Sequence, residues 1–96
     1  MDALAITHLD HGAEGEYHAR VPDSSALGRL TYVRRGQVLT IEHTLVPTEI
    51  GGRGIAGKLV EALIADARAH DWKIVPECSY VAAAFKRHPE WADLLA

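Results

Sequence analysis

The residues Gly51-Gly52-Arg53-Gly54-Ile55-Ala56-Gly57-Lys58 run directly into an amphipathic stretch from Leu59 to Ala69. Four of the seven positions from 51 to 57 are glycine, so successive backbone N–H groups of this turn can converge on a ligand. The first N–H groups of a helix have no intrahelical partner, and the helix dipole places about half a positive charge at that end. The stretch therefore predicts an anion-binding turn, and a tight strand-to-helix turn without a ligand is the alternative.

Four β-prone stretches precede this turn and are separated by sequences rich in glycine, proline, aspartate and serine. They are predicted at Ala5 to Asp10, Glu16 to Val21, Leu27 to Val33 and Val38 to Val46. Short connections between them predict an antiparallel meander.

The last of these strands is predicted to carry a helix on one face. With strict alternation of side chains, that face consists of Leu39, Ile41, His43 and Leu45. The helix offers an apolar stripe at a period of 3.6 residues. Its members are Ile55, Leu59, Leu63 and Ala67, with Ala56, Val60 and Ile64 beside them.

Two further elements are predicted after the long helix. Lys73 to Val75 is too short for a helix, so we expect it to return as a strand parallel to Val38–Val46. Ser79 is predicted to cap a second helix that continues to about Arg87. In a terminal turn, Trp91, Leu94 and Leu95 are expected to pack onto the sheet. The predicted fold class is α/β (α+β): a mostly antiparallel sheet of about five strands with a long helix on one face and a short C-terminal helix.

Composition and charge narrow the classes of function. A chain of 96 residues with 48% hydrophobic and 24% charged residues is typical of one globular domain, here predicted over residues 1–96. The net charge of −3 argues against nucleic acid as a partner, and no apolar run is long enough to predict a membrane span. The lack of a signal-peptide pattern and the single cysteine favour a cytoplasmic location. The six histidines lack metal-ligand spacing, so no metal site is predicted.

The glycine turn also carries a family resemblance. The segment Val46-Pro47-Thr48-Glu49-Ile50-Gly51-Gly52-Arg53-Gly54-Ile55-Ala56 resembles motif A of the GNAT superfamily of acetyl-CoA-dependent N-acetyltransferases, whose pattern is Gln/Arg-x-x-Gly-x-Gly/Ala. Gly54 and Ala56 match that pattern, and Gly51 stands where the family usually has Gln or Arg. The wider sequence is similar to a compact single-domain GNAT-like family, through Ile41-Glu42-His43-Thr44, Val75-Pro76-Glu77-Cys78-Ser79-Tyr80-Val81 and Arg87-His88-Pro89-Glu90.

The resemblance implies an acetyl-CoA site between the strand before motif A and the strand after its helix. In the superfamily these strands splay apart, and the pantetheine arm of coenzyme A lies between them like an additional strand. Here the arm is expected against the backbone of Thr44, Leu45 and Val46. The residues expected to hold the pyrophosphate are Gly51, Gly52, Arg53, Gly54, Ile55, Ala56 and Gly57. The backbone of the glycines is expected to matter more than the Arg53 side chain.

Three side chains are catalytic candidates for moving an acetyl group from a thioester to an amine. Cys78 is predicted at the start of a helix, where the dipole favours the thiolate; it is an acyl acceptor, a proton donor or a buried structural cysteine. His43 is a catalyst or a hydrogen-bonded core residue. By resemblance Tyr80 protonates the leaving thiolate, and its alternative role is aromatic packing. Glu77 is a candidate base or an exposed loop carboxylate.

Two functions follow from this sequence. The first is an acetyl-CoA-dependent N-acetyltransferase that acts on an unidentified amine. The second is a non-catalytic acyl-CoA-binding or protein-interaction module that keeps the glycine turn. Both predict binding of coenzyme A, and turnover separates them. The chain is expected to lack part of the acceptor wall of a full-length GNAT enzyme, which leaves both a monomer and a homodimer open.

Overall fold

Five strands form one sheet in the order β1-β2-β3-β4-β5 in the computed structural model, which describes residues 4–96. The strands are β1 Ala5–Asp10, β2 Glu14–Arg20, β3 Leu27–Arg35, β4 Val38–Leu45 and β5 Lys73–Pro76. The helices are α1 Ile55–His70 and α2 Ser79–Arg87, with short 3-10 helices at Thr48–Ile50 and Pro89–Leu94. The first four strands pair antiparallel with their sequence neighbours, and β5 pairs parallel with β4. The predicted fold class is therefore confirmed.

Helix α1 covers one face of the sheet. Its buried residues, which repeat at the helical period, are Ile55, Leu59, Val60, Leu63, Ile64 and Ala67. They belong to one core with alternating strand residues such as Tyr17, Leu30 and Leu39. The predicted apolar stripe is confirmed, and the helix begins at the first member of that stripe, Ile55.

A buried tyrosine ties α1 to the sheet. The hydroxyl of Tyr17, a residue only 1% exposed, donates a 2.6 Å hydrogen bond to Asp66 of α1. The ring of His8 stacks on that of Tyr17 with 4.3 Å between the ring centroids. Burial, and then the Asp66 carboxylate, raise the pKa of Tyr17, so its phenol remains a donor at ordinary pH.

The Tyr17→Phe substitution should therefore lower the free energy of unfolding by about 1.5 kcal/mol, because the Asp66 carboxylate loses a hydrogen bond at a partly buried site. Urea denaturation followed by circular dichroism measures the change. The dependence of the unfolding free energy on urea should stay the same, since the exposed surface is unchanged. Equal midpoints for the two proteins would contradict this role of the hydroxyl.

The register between β3 and β4 shifts once. Tyr32 lies opposite Ile41, but Thr31 lies opposite His43, so Glu42 is an extra residue in β4. This is a β-bulge, and it reverses the face of each side chain that follows, because side chains alternate with a period of two.

The bulge corrects the prediction for the end of β4. His43 and Leu45 are exposed, whereas Leu39 and Ile41 are buried under the helices. The prediction that all four residues share one face is therefore wrong. His43 instead lies on the face turned away from α1, here called the outer face, opposite Thr31.

The C-terminal segment differs from expectation at two positions. Cys78 is the N-cap residue of α2 and Ser79 is its first helical residue, so the predicted cap is wrong by one position. Leu94 is buried and Trp91 packs partly against the core, as predicted. Leu95 bridges to Ile74 through its backbone, but its side chain is 42% exposed, so it does not pack as predicted.

Candidate functional site

A gap opens between β4 and β5 at one end of the sheet. Pairing of the two strands ends at Ile41 and Pro76, and the N–H of Cys78 then donates to the carbonyl oxygen of Ile41 over 2.9 Å. Strand β4 continues to Leu45, while the chain after Pro76 turns into α2. Beyond Ile41, the edge of β4 that faces β5 is therefore not paired with any strand of the described residues.

The glycine turn lies where the chain leaves this end of β4 and enters α1. Gly52 and Gly54 have φ angles of 76° and 73°, and a Cβ atom at either would meet no atom within 4 Å. These conformations favour glycine, and open space adjoins both residues. Lys58 donates to the carbonyl of Gly54 over 3.1 Å, so the N–H groups of residues 55–57 precede the first intrahelical bond. The start of α1 with its dipole, and the open space beside both glycines, are the features that an anion site at this turn would use.

The Arg53 side chain is bound to another part of the protein rather than held ready for an anion at the turn. Its guanidinium binds Asp23, in the loop between β2 and β3, with distances of 2.8 and 2.9 Å. This hydrogen bonding holds the pKa of Asp23 below its ordinary value. Arg53 therefore ties the turn to a neighbouring loop, which agrees with a cradle built mainly from backbone groups.

Cys78 lies at the gap. Its Sγ atom is 3.4 Å from Oγ1 of Thr44, and the residue is 9% exposed. Burial raises the pKa of the Cys78 thiol, but its hydrogen bond with the Thr44 side chain and those from the backbone of Val81 and Tyr80 outweigh burial and hold the pKa below its ordinary value. The start of α2 was predicted to lower the pKa of Cys78, and the hydroxyl of Thr44 lowers it further. The sequence did not indicate this contact, because strict alternation along β4 places Thr44 on the face opposite to that of Ile41.

The Thr44→Val substitution should raise the pKa of Cys78, because the threonine hydroxyl makes the largest contribution that lowers it. The rate of alkylation by iodoacetamide follows the thiolate, so its rise with pH should shift to higher pH in the variant. Thr40→Val, on the paired part of β4, is the matched control and should leave the profile in place. Identical profiles for Thr44→Val and the wild type would contradict this role of Thr44.

The other candidate catalytic residues lie at different distances from the gap. Tyr80 lies near the turn, since a Cβ atom on Gly57 would stand 3.7 Å from its hydroxyl oxygen. The first turns of α1 and α2 are therefore neighbours at the gap. Glu77 is an exposed residue just before Cys78. His43 lies on the outer face, one residue from Thr44, so the structure separates it from the core position that was predicted.

Residues 4–96 show neither a metal-binding cluster nor a membrane-spanning helix. In this part of the chain no group of three or more His, Cys, Asp or Glu side chains is arranged to hold a metal ion. Likewise, none of the described helices has the length and apolar character needed to cross a membrane.

Comparison with known proteins gives one family and two related structures. The model of the GCN5-related N-acetyl-transferase family matches residues 16–94. The NMR solution structure of a GCN5-like candidate N-acetyltransferase from Staphylococcus aureus has a TM-score of 0.72 and 26% identity, over 100% of this chain and 91% of that chain. The crystal structure of ribosomal-protein-alanine N-acetyltransferase from Brucella melitensis biovar Abortus 2308 shares the fold, with a TM-score of 0.60 and 21% identity, over 88% of this chain and 64% of that chain.

Proposed function

The chain belongs to the GCN5-related N-acetyltransferase family, and from this premise we propose that it transfers the acetyl group of acetyl-CoA to an amine. One observation supports the proposal: the gap between β4 and β5 lies at the end of β4 that leads into a glycine turn, and open space adjoins Gly52 and Gly54 of that turn. A structural turn alone would not need an unpaired strand edge beside it.

The residues that would hold acetyl-CoA are those of the gap and the turn. The unpaired edge of β4 at Thr44, Leu45 and Val46 offers backbone groups to the amide-rich pantetheine arm. The turn from Gly51 to Gly57 offers convergent N–H groups to the pyrophosphate. When bound, acetyl-CoA supplies an activated thioester, and the protein need only position, polarise and move a proton.

The chemistry then falls to groups at the gap. An amine attacks the acetyl carbon as an uncharged nucleophile, a backbone N–H of β4 polarises the carbonyl, and a proton goes to the departing sulfur. We assign proton donation to Tyr80, and the position of its hydroxyl near Gly57 at the start of α1 supports this assignment. We assign to Cys78 either acceptance of the acetyl group or proton transfer, and its position at the gap and its lowered pKa support this assignment.

Turnover tests the proposal. The protein is incubated with acetyl-CoA and a set of amines, and the release of the coenzyme A thiol is followed with a thiol-reactive dye. We expect release that depends on both protein and amine. Binding of acetyl-CoA without amine-dependent release would support the non-catalytic binding module instead.

A further inference from the structure

The segment that joins β2 to β3 makes two separate contacts with the start of α1. This connecting segment, residues 21–28, leaves β2 after Arg20 and ends with the first two residues of β3. One contact is an ion pair between Asp23 and Arg53, and the other is close packing of Gly28 against Ile55. Both contacts hold the same end of α1, where the glycine turn enters the helix.

The ion pair attaches the centre of the glycine turn to the connecting segment. Arg53 lies between Gly52 and Gly54, two residues of the turn that have positive φ angles. Its Nη1 and Nη2 atoms donate to the two carboxylate oxygens of Asp23 over 2.8 and 2.9 Å. A paired bond of this kind fixes orientation as well as distance, because the guanidinium and the carboxylate are both planar.

Gly28 allows the first turn of α1 to lie close to β3. A Cβ atom at Gly28 would stand 3.0 Å from Cγ2 of Ile55 and 3.6 Å from Cδ1 of Leu59, so a side chain there would force Ile55 to move. Ile55 is buried and belongs to the core. This packing is independent of the ion pair, and it leaves Asp23 and Arg53 on either side of a fixed helix start.

The glycine turn depends on such contacts because its own sequence is permissive. Four of the seven positions from 51 to 57 are glycine, which loses more conformational freedom on ordering than any other residue. Gly54, the N-cap of α1, provides no side-chain hydrogen bond that would fix the helix start. A turn that must be ordered during binding loses affinity, so a contact that orders it beforehand strengthens binding without touching the ligand.

We propose that Asp23 is a positioning residue for acetyl-CoA, which acts through Arg53 to fix the glycine turn in the conformation that receives the pyrophosphate. The inference rests on the proposed function and adds to it a residue outside the turn and the gap. Charge alone predicts the opposite effect, because a carboxylate beside an anion site repels the anion. The direction of the change in affinity when Asp23 is removed therefore separates positioning from simple electrostatics.

Calorimetric titration of the whole chain with acetyl-CoA measures that direction. Asp23→Ala should weaken binding by about two- to fivefold, the scale of an exposed ion pair with good geometry. Unchanged binding would overturn the inference. Stronger binding would also overturn it, and would show that the carboxylate holds the charge of Arg53 away from the ligand.

Two control proteins show whether Asp23 acts through Arg53. Asp93→Ala breaks a similar exposed ion pair, 3.0 Å from Arg68 in the last turn of α1, and should leave the affinity for acetyl-CoA unchanged. In the Arg53→Ala protein, Asp23→Ala should cause no further loss, because the carboxylate has no guanidinium to hold. An equal loss in Asp93→Ala, or a further loss in the double variant, would contradict positioning through Arg53.

NMR relaxation of the backbone amides of residues 52–57 gives a measurement that needs no ligand. The order parameters of these amides should fall in Asp23→Ala and stay the same in Asp93→Ala, and unchanged values in Asp23→Ala would overturn the inference. If the wild type and Asp23→Ala bind acetyl-CoA equally, the inference fails while the proposed function stands. If the wild type does not bind acetyl-CoA, the proposed function fails, and the inference fails with it.

Discussion

Replacing Gly54 with valine should weaken the binding of acetyl-CoA by about 10- to 100-fold, the equivalent of one or two lost hydrogen bonds to a charged group. Gly54 has a φ of 73° and is the N-cap of α1. A β-branched residue disfavours this conformation, and its side chain would occupy the open space beside the turn where we propose that the pyrophosphate binds. Both effects displace the pyrophosphate.

The Gly36→Val variant is the control that distinguishes a loss of acetyl-CoA binding from a general loss of stability. Gly36 also has a positive φ, 62°, and open space beside it, but it lies in the turn between β3 and β4. Both variants should therefore lose similar stability, of the order of 1–2 kcal/mol, while only Gly54→Val loses affinity. Arg53→Ala should have a smaller effect than Gly54→Val, because its guanidinium binds Asp23. If Arg53→Ala abolished binding and Gly54→Val did not, a simple charge contact would replace the backbone cradle.

Replacing Cys78 with alanine should lower kcat by about 10²- to 10⁴-fold, the usual contribution of a positioned proton donor or nucleophile. The affinity for acetyl-CoA should change little, because the turn and the β4 edge provide the main contacts. The reason for choosing Cys78 is its position, with Sγ at 3.4 Å from Thr44 Oγ1 in the gap, together with its lowered pKa. A variant with unchanged kcat would leave Cys78 a packing residue.

Intact-protein mass spectrometry distinguishes the two chemical roles of Cys78. Incubation with acetyl-CoA and no amine should add one acetyl group if the thiolate attacks the thioester, and Cys78→Ser should prevent the stable thioester adduct. No adduct, combined with the loss of kcat in Cys78→Ala, would assign Cys78 to proton transfer and the attack to the amine itself.

The order of strands and helices could be predicted from the sequence because it depends on local patterns. The alternation that buries Leu39 and Ile41 in β4 and the stripe of α1 each reflect the geometry of a single element. The parallel return of β5 followed from its length, because Lys73 to Val75 is too short for a helix.

The side-chain details of the site could not be predicted in the same way. The bulge at Glu42 is a property of the pairing of β4 with β3, and a rule of strict alternation places His43 and Thr44 on the wrong faces. The contact of Cys78 with Thr44 joins residues 34 positions apart, so no local pattern indicates it.

A test of acetyl-CoA binding at the glycine turn needs other pyrophosphate-containing compounds as controls. Gly52, Gly54 and Gly57 have the G-x-G-x-x-G spacing by which dinucleotide-binding loops also hold a pyrophosphate. NAD and ATP both carry a pyrophosphate but lack the pantetheine arm. Only a ligand with that arm can use the unpaired edge of β4, so these two compounds separate a coenzyme A site from a general phosphate site.

Titration of the isotope-labelled protein with acetyl-CoA, followed by two-dimensional NMR of the backbone amides, tests the central claim most directly. We predict shifts concentrated in Thr44 to Val46 and Gly51 to Gly57, with NAD and ATP affecting the turn weakly and the β4 edge not at all. No shifts with acetyl-CoA, or shifts that NAD reproduces in full, would contradict an acetyl-CoA site at this gap.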